Sequence, residues 1–252
     1  MIFISVIIMM IDRNTKGELM MTMKVEFWSD IVCPWCYIGK RRFEKALSLF
    51  EHGSEVEVIW RSFELDPSTP RHIGDFTDSL SKKMGKSHEE VSQMMAQITT
   101  LAAKDGLDYR FDLMKSGNTF DAHRLIHHAA TQGLVEEVSE QLYHAYFTEG
   151  LPVGDVDALV QVAVKAGLEE TETLQILASD KYSEEVRSDE SRAHSLNVRG
   201  VPFVLANEKY TISGAQPTEV FLDALRQAWN DAHPITVVGG TGNSCDDGNC
   251  II

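Results

Sequence analysis

Lys24-Val25-Glu26-Phe27-Trp28-Ser29-Asp30-Ile31-Val32-Cys33-Pro34-Trp35-Cys36 is the stretch whose reading decides the fold. Its first five residues alternate with a period of two and predict a strand. From Cys33 onward the apolar residues change to helical spacing, with Tyr37, Phe43, Ala46, Leu47 and Phe50 on one face, and Gly53 is expected to close that helix. Val56, Val58 and Trp60 then alternate again. Strand, helix and strand in one sheet imply a right-handed parallel crossover, so the chain is expected to be of the α/β class.

The two cysteines stand where such a unit can use them. A thiol attacks a disulfide only as the thiolate, and a helix N-terminus favours the anion. Cys33 occupies the cap position and Pro34 the first helical position, where its missing N–H costs nothing. Unpaired N–H groups of the first turn are expected to point at the Cys33 sulfur. Cys36 lies one turn on, near enough to close a disulfide with Cys33 and release a bound partner. Asp30 precedes them and is expected to disfavour the thiolate and accept its proton, the plainer reading being a turn residue. A bare C-x-x-C is equally half of a zinc site, but four thiolates would need Cys245 and Cys250 folded back. The strand-to-helix context favours redox chemistry over metal, and no metal is expected.

Outward from this unit the pattern becomes helical. Segments 89–103, 119–131, 134–147, 156–165, 170–177 and 182–196 carry helical spacing, broken at Gly106, Gly133, Gly150-Leu151-Pro152 and Gly167. Phe203-Val204-Leu205-Ala206 and Tyr210-Thr211-Ile212 flank the polar turn Asn207-Glu208-Lys209 as a hairpin, and Pro217 opens a last helix to Trp229. Residues 23–66 and 195–233 are therefore expected to form one α/β domain, interrupted by an all-helical insertion over 67–194. Residues 1–22 read as a leader and 234–252 as a Gly-, Asn- and Asp-rich tail. Pro202, directly before a strand in Gly200-Val201-Pro202-Phe203, cannot donate to a ladder, and a cis peptide there would make a tight entry.

The composition narrows the partners. Of 252 residues, 43% are hydrophobic and 24% charged, as in an ordinary soluble protein with a substantial core. Lys and Arg total 23 against 38 Asp and Glu, so the net charge of -15 repels nucleic acid and anionic membrane surfaces. The apolar run from Ile2 to Ile11 has no Lys or Arg before it and Asp12-Arg13-Asn14 after it, unlike an export signal. It is about half the ~20 residues that span a bilayer. Met20, Met21 and Met23 precede the first strand and suggest a natural start there, and the cytoplasm is the expected compartment.

Together, Phe27-Trp28-Ser29-Asp30 before Cys33-Pro34-Trp35-Cys36, then Asn118-Thr119-Phe120-Asp121-Ala122-His123-Arg124, Gly200-Val201-Pro202-Phe203 and Ile212-Ser213-Gly214-Ala215-Gln216 resemble the DsbA-like branch of the thioredoxin superfamily. They are most similar to the FrnE-type oxidoreductases, with 2-hydroxychromene-2-carboxylate isomerases and kappa-class glutathione transferases as relatives. The resemblance spans Lys24 to about Trp229. It implies a thioredoxin fold interrupted by a helical domain, an exposed attacking Cys33, a shielded resolving Cys36, and a cis Pro202 packed against the pair. It also implies that the backbone at Val201 pairs with an extended substrate segment, and that Asn118 lies near the substrate cleft. Pro34 and Trp35 are expected at the substrate. The isomerase and transferase relatives typically carry Ser at the position of Cys33, so both cysteines favour thiol–disulfide exchange on a protein or small-molecule substrate. Trp35 carries no charge to stabilise a thiolate as the His of DsbA proper would, so a less oxidising couple is expected. No cofactor is expected, with glutathione as a candidate co-substrate. The second reading is a glutathione-dependent isomerase or transferase acting on an aromatic or polyketide-like compound, and the third a structural zinc protein.

His123 and His127 are four apart on a helix, but Arg124 replaces the Glu of H-E-x-x-H, so structural roles are expected. Met94 and Met95 read as core filler. Cys245 and Cys250 form a second close pair able to close a disulfide with Gly248 in the turn, and the tail is expected to carry that disulfide to Cys33 as a relay or to act as a redox sensor. An idle tail and a thiol-plus-carboxylate metal site are the alternatives for that pair.

Overall fold

The computed structural model describes residues 22–71 and 76–234. Strand β1 (Met23–Ser29) pairs in parallel with β2 (Val56–Ser62), with Phe27 opposite Trp60, and antiparallel with β3 (Phe203–Ala206). β4 (Tyr210–Ser213) pairs antiparallel with β3, giving the order β2-β1-β3-β4. The interior position of β1 explains its apolar composition: every residue but Lys24 is buried. The hairpin falls where the polar turn places it, Ala206 pairing with Tyr210 across Asn207-Glu208-Lys209, with Asn207 and Glu208 in the left-handed region at φ 49° and 56°.

Helix α1 (Pro34–Leu49) joins β1 to β2. It stops at Leu49 with Phe50 as its cap, before the expected close at Gly53. Gly53 instead begins a single 3₁₀ turn (Gly53–Glu55), where a Cβ would lie 2.4 Å from the Leu47 carbonyl oxygen. Between β2 and β3 come α2 (Phe76–Met84), α3 (His88–Lys104), α4 (Phe120–Gln132), α5 (Val135–His144), α6 (Val156–Lys165), α7 (Glu170–Leu177) and α8 (Ser183–Ser195). The segment expected as one helix over 134–147 ends as a π turn (Ala145–Glu149) closed by Gly150 at φ 71°. Helix α9 (Thr218–Ala232) follows Pro217 and packs on α1.

Two apolar cores share α1. Phe43, Ala46 and Phe50 join Val25 and Phe27 of β1 and Phe221, Leu225 and Trp229 of α9. Cys36, Tyr37 and Ile38 at its other end pack among Leu125, Leu142, Tyr143, Tyr146 and Phe147 from the helices. Tyr37 stacks on Tyr143 at 4.8 Å between ring centroids. The start of α1 is thus clamped between the sheet and the helices. Buried Lys40 adds a charged tie, pairing with Glu44 on its own helix and with Glu136 and Glu140 of α5.

Residues 1–21 of the expected 1–22 leader and the Cys245/Cys250 pair lie outside the described residues. Among the described residues no helix is long and apolar enough to cross a membrane.

Candidate active site

Cys33 is the residue before α1, with extended backbone (φ -87°, ψ 112°), and Pro34 opens the helix. Its N–H donates to the Asp30 carbonyl at 3.1 Å, and its own carbonyl accepts the Cys36 N–H at 3.0 Å. The two cysteines are free thiols within hydrogen-bond contact of each other. Two expectations for Cys33 are corrected. It is 4% exposed, not open to solvent, because it belongs to the apolar core formed with the helices. Its Sγ receives no side-chain cap hydrogen bond but donates to the Val201 carbonyl at 3.5 Å. A protonated thiol is a donor and turns to a carbonyl, whereas the thiolate has only the field of the helix terminus and amides to favour it.

Cys36 is completely buried. Burial pushes its thiol well above the usual range, reinforced by the hydrogen bond and charge of Cys33; the Asp30 backbone amide opposes this and the Asp30 charge adds to it. The pair is therefore asymmetric: one sulfur faces a cleft and its partner is held protonated behind it.

The Val201–Pro202 peptide is cis, and Pro202 is buried against α1. Its contact there is Gly39, a residue the sequence reading missed: a Cβ on Gly39 would lie 2.8 Å from Pro202 Cγ. A glycine inside an amphipathic helix is the signal for such a close approach. Tyr109 was missed as well; its hydroxyl donates to the Pro34 carbonyl at 2.6 Å and pins the first turn. Trp35 stands at the rim, 39% exposed.

Asp30 is more than a turn residue. It is 1% exposed; its Oδ2 accepts the Leu65 N–H at 2.8 Å, and its Oδ1 has no hydrogen-bond partner. His123, also buried, has its Nε2 3.5 Å from that oxygen and likewise unbonded. His127 instead meets Asp189 at 3.1 Å, so the two histidines serve different carboxylates. Asn118 sits between Gly117 and Thr119, which line the cleft beside the cysteines. Its amide donates to Glu64 at 3.2 Å and to the Pro67 carbonyl, and its Oδ1 accepts the Phe120 N–H, so it shapes the entry to α4. Among the described residues no group of three or more His, Cys, Asp or Glu side chains is placed to hold a metal ion.

A cleft of about 670 Å³ opens beside the cysteines, with Cys33, Asp30, Trp35 and Val201 on one side. Leu80 and Met84 of α2, Met94 and Met95 of α3, Phe111 and Tyr146 line it elsewhere. The methionines expected as core filler are thus partly a cleft wall. Helix α2, which no clear periodicity announced, supplies one side of it.

The family model described as the DSBA-like thioredoxin domain matches residues 24–226. The structure of a probable DsbA oxidoreductase from Streptomyces coelicolor is similar at TM-score 0.81 and 42% identity, covering 91% of this chain and 99% of that one. An uncharacterized protein of Bacillus subtilis (strain 168), YwbO, is 28% identical over 207 residues, 81% of this chain and 96% of its own length. A 2-hydroxychromene-2-carboxylate isomerase shares the fold at TM-score 0.61 and 16% identity, over 83% of this chain and 98% of that one.

Proposed function

Because the chain belongs to the DSBA-like thioredoxin domain family, we propose that it exchanges disulfides through Cys33-Pro34-Trp35-Cys36, with Cys33 as nucleophile and Cys36 as resolving thiol. The observation that carries the reading is the free thiol pair at the head of α1, its outer sulfur 3.5 Å from the carbonyl of the cis Val201–Pro202 peptide. In the reductive direction the Cys33 thiolate attacks a substrate disulfide, forming a mixed disulfide and releasing one substrate thiolate. Cys36 then loses its proton and attacks the Cys33 sulfur, closing the Cys33–Cys36 disulfide and releasing the second thiolate. The two protons of the dithiol end on the two substrate thiols, and two electrons pass to substrate. Once Cys33 has ionised, the Val201 carbonyl no longer receives its S–H and is free to accept an N–H from the substrate. Pro34 and Trp35 line the approach, and the exchange itself requires no bound cofactor, glutathione serving as a ready thiol.

The test is reduction of insulin and of N,N′-diacetylcystamine by the dithiol form. The proposal expects Cys33→Ser to lose at least a thousandfold in both, while the alternative, a glutathione-dependent isomerase or transferase, predicts a conversion that survives the substitution. Stoichiometric zinc without exchange would contradict both. Cys245 and Cys250 are proposed as a relay recharging the pair; unchanged turnover in the Cys245→Ser, Cys250→Ser double variant would remove that role.

A further inference from the structure

Cys33 reacts from inside a cavity, and this restricts what it can meet. At 4% exposure Cys33 offers little surface to a disulfide that does not enter the cleft. The way in is the cleft, whose volume of about 670 Å³ lies within the roughly 300–1,000 Å³ of small-molecule sites. The wall facing Cys33 is apolar and adaptable: Leu80 and Met84 from α2, Met94 and Met95 from α3. Asp30 also borders the cleft, with its Oδ1 buried beside His123 Nε2 at 3.5 Å.

We propose that the cleft binds the organic body of a low-molecular-weight disulfide, with a bulky apolar or aromatic group against Leu80, Met84 and Met94. This rests on Cys33 being the nucleophile and adds the class of molecule it serves. The reaction balances with nothing further: the dithiol and one R–S–S–R give the Cys33–Cys36 disulfide and two R–SH. The S–S bond of the substrate breaks, the new one forms within the protein, and both thiol protons leave on the products.

Two neutral amide disulfides with the same sulfur environment, N,N′-bis(phenylacetyl)cystamine and N,N′-diacetylcystamine, test the apolar term. In the native protein kcat/KM favours the phenylacetyl compound tenfold or more, chiefly through KM. Leu80→Asp and Met94→Gln bring that ratio towards one. Val164→Asp, on the exposed side of α6 outside the cleft, leaves it unchanged. The ratio is the readout, so a general loss of folded protein does not imitate the effect. A ratio near one in the native protein overturns the proposal, as does a ratio that survives both cleft variants. Insulin reduction falling in step with the phenylacetyl compound in Leu80→Asp also overturns it, assigning the cleft to an extended protein chain. Turnover of both cystamines by Cys33→Ser would instead defeat the nucleophile assignment, a separate result.

Discussion

Cys33 and Cys36 carry the same side chain, and position alone divides the labour between them. Cys33 borders the cleft and Cys36 is sealed behind it, with burial and the neighbouring sulfur holding its thiol protonated. Iodoacetamide at neutral pH is therefore expected to label Cys33 in the folded protein and Cys36 only after unfolding, as read by peptide mass spectrometry; equal labelling of the two would contradict the division. The cysteine pair, its spacing and Pro202 were legible in the sequence because their chemistry depends on local order along the chain. The meeting of Asp30 with His123 joins residues 93 apart in the chain and that of Cys33 with Val201 residues 168 apart, and no spacing rule reaches that far. Asn118 teaches the complementary lesson: a short polar residue before a helix is explained first by local hydrogen bonds.

At the scale of elements, α1 is where the fold and the site are the same object. Its N-terminus presents the cysteines, its middle admits Pro202 at Gly39, and its far end packs on α9. Gly39→Ala would force the cis-proline segment away from the helix, since neither the proline ring nor the helix backbone can give by the distance required. A destabilisation of about 1–3 kcal/mol is expected, with a loss of exchange activity larger than the loss of folded protein, checked by denaturant titration beside the turnover assay. An unchanged activity would show the contact to be idle. Helices α3 and α6 were readable from their apolar spacing, and the structure adds their caps: Asp155 caps α6 through the Ala158 N–H, and Ser87 and Glu90 form a reciprocal capping box on α3. Helix α2 escaped because its apolar cleft-lining residues, Phe76, Leu80 and Met84, make only a short stripe.

Across the whole molecule, the buried ionisable groups around α1 make an alkaline limit to stability. Burial raises Cys36, Tyr109 and Tyr143, the nearby sulfurs adding to it, while Lys40 is also raised because Glu44, Glu136 and Glu140 outweigh the cost of burying it. Each group binds its proton more tightly in the folded state, so its contribution is complete below its unfolded value and is lost as pH climbs through the folded one. The earliest of these is the cysteine, with an unfolded value near ~8.5. Thermal stability is thus expected to fall as pH rises above about 8.5, and Cys36→Ala to lose the first part of that fall; a midpoint that rises through this range would contradict it. The α/β class and the helical run between β2 and β3 followed from periodicity, whereas the cleft between them arises only when distant elements pack. The central claim, that Cys33 attacks and Cys36 releases, is tested most directly by mixing the Cys36→Ala variant with N,N′-diacetylcystamine and measuring the intact mass. One stable mixed disulfide per chain, mapped to Cys33, is the expected result, and no adduct, or an adduct mapped elsewhere, would contradict it.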